Sequence, residues 1–169
     1  VDVESSVIRG THAGLDGITG HGLEVIEGAT LRATSCVVAD NRGPGVLVSG
    51  AGSTAGFAGC VVRGNANGMT ATGAHGLAGY NGASVRVGGS LVEDNGNVGV
   101  VSFLDADVAI EESVVRRTRT VVGATQAVGV QALRQGDGIG QGGTRIAQLV
   151  EETQVIAAIQ MKDHQCLDG

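Results

Sequence analysis

A six-residue block of one pattern recurs along this chain at intervals of 23 to 30 residues. Each block starts with Cys or Ser, has an aliphatic residue two positions later, and ends in Asn or Thr. Three blocks end in Asn and two in Thr, and they cover residues 36–41, 60–65, 90–95, 6–11 and 113–118. A unit repeated at this period predicts a solenoid of stacked coils, not a single globular core.

A second repeated element defines the length of each coil. Each coil opens with Gly and aliphatic residues, at Gly22, Gly45, Gly76, Gly99 and Gly129, and residues 157–160 form a degenerate sixth copy. The connections between coils alternate between three and ten residues, so the duplicated unit is a pair of coils of 53 or 54 residues. The last of the five coils carries an insertion at 136–143. The sequence therefore predicts an all-β parallel β-helix of about six coils.

The period of two along each strand predicts which side chains face inward. Three inward stacks are expected: Cys36/Cys60/Ser90/Ser113 with Val38/Val62/Val92/Val115, Leu23/Val46/Leu77/Val100/Val130, and Leu31/Val85/Val108/Ile146. The Asn residues that close the coils should hydrogen-bond one another from coil to coil, best from Asn41 to Asn95. An outward apolar row is expected at Val37, Val61, Leu91, Val114 and Leu149.

The combined pattern is Gly-Val-x-Val, then apolar-x-apolar, then Cys/Ser-x-Val-x-x-Asn, and it runs from residue 1 to about residue 160. It resembles the right-handed parallel β-helix superfamily, whose best-known members are pectate lyases and polygalacturonases. Blocks such as 61–64 and 91–95 are also similar to long β-helix repeat proteins of myxobacterial surfaces. The resemblance implies a right-handed solenoid and leaves the activity open.

Composition excludes several classes of function. The formal net charge is −6, and no basic patch alternates with aromatic residues, so nucleic-acid binding is not expected. No apolar run of 18 residues occurs, so this part of the chain should not span a membrane. Because Val1 falls inside a repeat, we expect residues 1–169 to be one solenoid that belongs to a longer protein.

Candidate acidic residues lie at equivalent turns. Enzymes of the similar family act on acidic polysaccharide with Asp residues on neighbouring coils, the lyases with Ca²⁺ ligands beside an Arg. Here Asp40 and Asp94 are two coils apart, with Gly64 between them and Arg117 at the next equivalent position. Such residues are typical of solvated turns, so no catalytic residue is assigned. The enzyme question stays open, with a non-enzyme favoured.

Metal binding is the second chemistry that the residues suggest. The Gly-His-Gly at residues 20–22 matches one short element of polygalacturonases, and His12, His21 and His75 are expected in the ten-residue loops on one edge. Asp105, Asp107 and the stretch 137–140 have the composition of a Ca²⁺ loop without its tandem repeat. Repeated loop histidines are also what duplication of a coil pair produces, so no metal or cofactor is assigned.

Three cysteines do not form a disulfide framework. Cys36 and Cys60 should be vertical neighbours inside the stack, and Ser occupies the same position in other coils. We therefore expect two free, buried thiols, because small size is what the position requires. Cys166 is expected to be a further core residue.

These observations favour a structural function. The chain is expected to be a rigid rod, spacer or adhesin stalk of a bacterial extracellular or cell-surface protein. The alternatives are a polysaccharide-binding or polysaccharide-degrading β-helix, and a metal-binding module on the ten-residue loops. Self-association through the coil ends or the outward apolar row is a further expectation, since open ends and exposed apolar rows are contact surfaces.

Overall fold

The computed structural model describes residues 1–12, 14, 20–65, 75–119, 127–133 and 144–149. Within these residues the chain forms fifteen strands that pair in parallel, and it forms no helix. In chain order the first eight are β1 (Asp2–Glu4), β2 (Val7–Arg9), β3 (Leu23–Val25), β4 (Thr30–Thr34), β5 (Val37–Ala39), β6 (Val46–Ser49), β7 (Thr54–Ala58) and β8 (Val61–Arg63). The others are β9 (His75–Tyr80), β10 (Ser84–Gly88), β11 (Leu91–Glu93), β12 (Val98–Phe103), β13 (Asp107–Arg116), β14 (Val128–Leu133) and β15 (Thr144–Leu149).

The chain visits three parallel sheets in a fixed order, and one visit to all three makes one coil. The first sheet contains β1, β4, β7, β10, the first half of β13, and β15. The second contains β2, β5, β8, β11 and the second half of β13. The third contains β3, β6, β9, β12 and β14. The coils are β1–β2, β3–β5, β6–β8, β9–β11, β12–β13 and β14–β15, which we number one to six. This is the predicted parallel β-helix.

A single residue with positive φ turns the chain from the first sheet to the second in each of coils one to five. These residues are Ser5, Ser35, Gly59, Gly89 and Glu112, with φ of 46°, 54°, 61°, 55° and 48°. One left-handed residue is enough to redirect a strand without a loop. The corner between these two sheets is therefore sharp and uniform.

The interior is a stack of small aliphatic side chains, as the alternation predicts. The row Val38, Val62, Val92 and Val115 is 0–1% exposed, and the row Val46, Leu77, Val100 and Val130 is 0–7% exposed. Each residue lies in register with its equivalent on the next coil. The predicted inward register is confirmed for coils two to five.

Two expectations for the sixth coil are wrong. Ile146 lies in register with Ile110 instead of Val108, and Leu149 lies in register with Ser113 instead of Val114. The insertion before β15 makes the position of this strand impossible to count from its opening glycine. Since a shift of one residue changes the face of a strand, Leu149 occupies an inward register position and leaves the outward row. The degenerate copy at 157–160 lies outside the described residues.

The asparagine ladder inside the corner between the second and third sheets is confirmed. Asn41 Nδ2 donates to Asn65 Oδ1 at 2.9 Å, and Asn65 Nδ2 donates to Asn95 Oδ1 at 2.9 Å. The backbone N–H groups of Asn41 and Asn65 donate to the same oxygens. At the start of the ladder, Thr11 donates to Asn41 Oδ1 from both its backbone N–H and its hydroxyl. All three Asn side chains are buried. The hydrogen bonds of the ladder therefore replace the hydrogen bonds to water that the side chains lose on folding.

The opening glycines are explained by the ladder. A Cβ on Gly76 would lie 2.6 Å from Asn95 Nδ2 and 2.5 Å from the carbonyl oxygen of Gly99. Gly22 and Gly45 would meet the Asn amide and the next opening glycine in the same way. Any side chain at this position would separate the coils or displace the ladder. The two repeated sequence elements are thus two halves of one contact.

A second ladder, which the sequence reasoning missed, lies at the corner between the first and second sheets. Ser113 Oγ accepts from Ser90 N at 3.0 Å, Ser90 Oγ accepts from Cys60 N at 3.0 Å, and Cys60 Sγ accepts from Cys36 N at 3.5 Å. The same side chains donate to nearby carbonyl oxygens. Small size alone was expected to select Cys or Ser, but the position also requires an atom that both accepts and donates a hydrogen bond.

Candidate functional site

The outward turn after the second sheet holds the candidate acids. Asp40, Gly64, Asp94 and Arg117 follow equivalent strands, and all four have φ between 51° and 64°. Asp94 does not stand free, because Arg117 Nη2 lies 3.0 Å from its Oδ2 and Arg119 Nη2 lies 2.8 Å from its Oδ1. The hydrogen bonds from Arg117 and Arg119 hold the pKa of Asp94 below its ordinary value. Asp94 is therefore an ion-paired turn carboxylate and not a proton donor at neutral pH.

Glu93 completes this ionic cluster. Its carboxylate is 9% exposed, accepts a hydrogen bond from Arg116 Nε at 3.0 Å, and contacts Arg117 Nη2. Two acids and three arginines thus join the fourth and fifth coils through side chains on one outer corner. Sequence reasoning placed Asp94 and Arg117 at equivalent positions but missed Glu93 and Arg119 as their partners. Both acids in the cluster are ion-paired with arginines of the next coil, so the cluster connects the two coils.

The candidate metal ligands have different environments. His21 is partly buried, with its Nδ1 3.5 Å from Glu24 Oε2, and His12 is exposed. His75 does not lie in a loop as expected, because it begins β9, where it pairs with Val98 and is only 7% exposed. In the described part of the chain, no group of three or more His, Cys, Asp or Glu residues is arranged to hold a metal ion.

The imidazole of His75 is buried, and its loss of water is not offset by a hydrogen bond to Nδ1. Its Nδ1 has no hydrogen-bond partner in the described structure, and burial lowers the pKa of His75 to about 4. Its neighbour Val98 and the next residue of the row, Val128, are both aliphatic and buried. His75 is therefore a neutral packing residue at neutral pH.

The remaining candidates lie in a turn, at the start of a strand and in the interior. Asp105 lies in the turn between the third and first sheets with φ of 62°, and Asp107 begins β13. Cys36 and Cys60 are free and 1% exposed, which confirms the expected thiols, and burial raises the pKa of Cys60. The stretch 137–140 and Cys166 lie outside the described residues.

The first sheet carries a concave outer surface that sequence reasoning missed. A cleft of about 320 Å³ has a floor of small outward residues, namely Gly56, Ala58, Gly88 and Ala109. Arg32 and Arg86 stand in the same row on either side of Gly56, and Glu111 and Thr34 lie at the other border. Arg32 faces Asp2 at 3.9 Å, and Arg86 has no ion pair among the described residues. The detectable signal was the run of Gly and Ala at outward positions between two arginines.

The outer faces of the other two sheets differ in their cover. On the third sheet, Ala78, Val98, Val101 and Val128 form a buried cluster separate from the interior core, 0–4% exposed, with Tyr80 and Phe103 packed against it. The two rings contact edge to face at 5.9 Å. On the second sheet, Val7, Val37, Val61, Leu91 and Val114 lie in one continuous register and all remain at least partly exposed. We call these five residues the apolar stripe; it begins at Val7 and does not include Leu149.

Comparisons with known proteins agree with this architecture. A family model described as a right handed beta helix region matches residues 3–139. Neither a curated protein nor a solved structure matches the chain. Among the described residues, no helix has the length and apolar character needed to cross a membrane.

Proposed function

Because the chain belongs to the right-handed β-helix family, we propose that it serves as a rigid rod or spacer in a bacterial extracellular or cell-surface protein. Regions of this family occur in extracellular proteins of both structural and polysaccharide-acting kinds. The observation that carries the structural function is the buried ladder of Asn41, Asn65 and Asn95. It ties each coil to the next through side chains as well as backbone.

A rod needs stiffness along its axis, and the two ladders supply it. Every coil in the middle of the stack is held by backbone pairing in three sheets and by side-chain hydrogen bonds at two corners. The ionic cluster of Glu93, Asp94, Arg116, Arg117 and Arg119 adds a connection on the outside. Of the candidate acids in the described turns, Asp94 fastens the fourth coil to the fifth through Arg117 and Arg119, which supports a structural function over a catalytic one at this position.

The stiffness can be measured with spin labels. Glu4 and Glu111 are exposed, lie in one row of the first sheet, and are four coils apart. In a rod their backbones are about 19 Å apart, at about 4.8 Å per coil. Nitroxides at Glu4→Cys and Glu111→Cys, with the native cysteines replaced by Ser, should give a single narrow distance distribution by electron paramagnetic resonance. A broad distribution in the folded protein would contradict the rod. Cleavage of polygalacturonate or alginate in the presence of Ca²⁺ would contradict a purely structural function.

A second function, binding of acidic polysaccharide, is favoured by the cleft on the first sheet. Arg32 and Arg86 are two coils apart, about 10 Å along the axis, on either side of the outward residue Gly56. Guanidinium groups in such a row can pair with carboxylates on alternate sugars of an extended chain. The aromatic residue that lines the cleft, Phe57, is only 3% exposed and offers no open ring face to a sugar, so affinity should be weak and salt-dependent.

Titration calorimetry with oligogalacturonate tests this function. Arg86→Ser should abolish the binding heat, while Arg63→Ser, an exposed arginine on the second sheet, should leave it unchanged. Binding that survives Arg86→Ser would place the ligand elsewhere. The metal-binding alternative has less support, because His75 is buried in a strand and lies apart from exposed His12.

A further inference from the structure

We propose that the apolar stripe is a self-complementary interface that joins two copies of this chain side by side, with their axes parallel. This inference goes beyond the rod function and does not depend on it. The occupant of the stripe is the stripe of a second copy. This occupant is selected by the charges along the two borders of the stripe and by the heights of those charges along the rod.

The apolar stripe is exposed to solvent, whereas the outward aliphatic residues of the third sheet are buried. Val7 is 62% exposed, and Val37, Val61, Leu91 and Val114 remain partly exposed with the whole chain present. The outward aliphatic residues of the third sheet, such as Val101, are buried. A continuous row of five aliphatic side chains on a flat parallel sheet gains stability when it is removed from water.

The two borders of the stripe carry opposite charge in the first and fifth coils. On the side of the first sheet, the rows Glu4/Thr34/Ala58/Gly88/Glu111 and Ser5/Ser35/Gly59/Gly89/Glu112 contain three acids and no base. On the other side, the row Arg9/Ala39/Arg63/Glu93/Arg116 contains three bases and one acid, and the next row, Gly10/Asp40/Gly64/Asp94/Arg117, contains one base and two acids. In the second, third and fourth coils, the acidic border has no acid and carries only small residues.

These borders select one orientation of the second copy. In a pair related by a two-fold axis parallel to the rod, each coil faces the same coil of the other copy, and the acidic border faces the basic border. Arg9 then lies opposite Glu4 of the second copy, and Arg116 lies opposite Glu111 and Glu112 of the second copy. Arg63 and Glu93 lie opposite Gly or Ala, so they meet neither a like charge nor a bulky side chain.

The antiparallel pair lacks this match. Turning the second copy end over end still stacks the two stripes, but it places the basic border on the basic border. Arg9 then meets Arg116 of the second copy, and Arg63 meets Arg63. Like charges at an interface disfavour an arrangement strongly. The charges therefore favour the parallel pair over the antiparallel one.

The size of the face sets the strength of the contact. Five coils of about 4.8 Å and strand segments of three residues, about 10 Å long, give roughly 240 Å² of face per copy. A stable complex buries about 800 Å² per partner, so the pair formed by these five coils is weak and reversible. The experiment must therefore capture a weak dimer instead of isolating a stable one.

Cross-linking distinguishes the orientations. In a background with Cys36, Cys60 and Cys166 replaced by Ser, single Cys residues are introduced at Val37, Leu91 or Arg32, and the chain is treated with a short bismaleimide. The parallel pair predicts covalent dimers from Val37→Cys alone and from Leu91→Cys alone. Mixing the two variants, one enlarged by a tag, should yield few mixed dimers. Arg32→Cys, exposed on the first sheet, should give no dimer.

A charge reversal tests the borders. Glu112→Arg places Arg opposite Arg116 of the second copy, and it should abolish the dimer from Val37→Cys. Glu27→Arg is the matched control, because Glu27 is also an exposed turn residue with positive φ, at 56° against 48° for Glu112. It should leave the dimer unchanged. Dichroism spectra identical to the unmodified chain establish that each variant is folded.

Three outcomes would overturn the proposal. Preferred mixed dimers of Val37→Cys with Leu91→Cys would show the antiparallel pair. The absence of dimers from every folded stripe variant would show that the stripe does not self-associate. Equal loss of dimer with Glu112→Arg and Glu27→Arg would show that net charge matters and the borders do not.

Discussion

At the scale of single residues, Asn65 connects three coils. Its side chain accepts two hydrogen bonds from Asn41 and donates to Asn95 Oδ1 and to the carbonyl oxygen of Val38. Asn65→Ala leaves the buried N–H groups of Asn41 without an acceptor, so we expect the free energy of unfolding to fall by about 3 kcal/mol. Asn65→Thr should cost less, because Thr11 shows that a hydroxyl can bond to the neighbouring Asn. Urea denaturation followed by circular dichroism measures both.

The control for this prediction is an asparagine outside the ladder. Asn81 is exposed, has φ of 54°, and makes a side-chain bond to Ser49 at 3.0 Å. Asn81→Gly keeps a residue that adopts this φ and should change stability by less than about 1 kcal/mol. A loss at Asn81 as large as the loss at Asn65 would contradict a special contribution of the ladder.

His75 gives the fold a dependence on pH. The unfolded chain binds a proton at His75 below its ordinary pKa of 6.5, whereas the folded chain binds it only below about 4. Burial of neutral His75 therefore costs no proton-binding free energy above pH 6.5. Below that pH the folded state loses stability relative to the unfolded state, until pH reaches about 4. The linkage amounts to at most about 3 kcal/mol. His75→Val matches Val98 and Val128 in the same row and should remove this part of the acid sensitivity.

The measurement compares the unfolding free energy of both chains at pH 8 and pH 4.5. Every other group is the same in both chains, so the difference between the two isolates residue 75. We expect similar stability at pH 8 and greater stability of His75→Val at pH 4.5. Parallel pH profiles would mean that His75 reaches solvent or a partner in the folded state.

At the scale of elements, the opening glycines should tolerate substitution far less than glycines elsewhere in the strands. Gly76→Ala forces a methyl group against the Gly99 carbonyl oxygen and Asn95 Nδ2, and we expect a loss of about 2–3 kcal/mol. Gly56→Ala is the matched control, because its Cβ would meet no atom within 4 Å on the outer face of β7. Thermal melting should show Gly56→Ala unchanged or slightly stabilised. Equal destabilisation would contradict the close approach of coils at the ladder.

The strands and turns also show which parts of the fold the repeated sequence predicts and which parts it does not. The inward rows, the ladder and the free thiols follow from residues 36–41 and their copies, because stacking repeats the same environment in every coil. The sixth coil fails because the insertion at 136–143 removes the constant spacing on which counting depends. His75 and the cleft around Gly56 were missed for another reason. Burial of the residue that precedes an opening glycine, and a gap between outward arginines, depend on neighbouring coils and not on the local pattern.

At the scale of the whole molecule, a repeat stack should respond to damage according to its position. Ile8 and Val62 occupy the same inward row, but in the described structure Ile8 is in the first coil, where β2 pairs only with β5, and Val62 is in the third coil, where β8 pairs on both sides. Val62 is 1% exposed, whereas Ile8 is only partly buried. The same substitution can therefore be compared at the end and in the middle of one row.

Val62→Asp buries an unpaired charge between two coils and should abolish the cooperative unfolding transition, because the rod cannot be continuous across it. Ile8→Asp leaves its carboxylate near solvent and should loosen only β1 and β2, with a loss of about 1–2 kcal/mol and a retained transition. Thermal denaturation followed by circular dichroism at neutral pH distinguishes the two. A cooperative transition in Val62→Asp would contradict its inward position. Equal damage from both variants would instead mean that the coils unfold as one unit and that stability does not depend on contacts between neighbours.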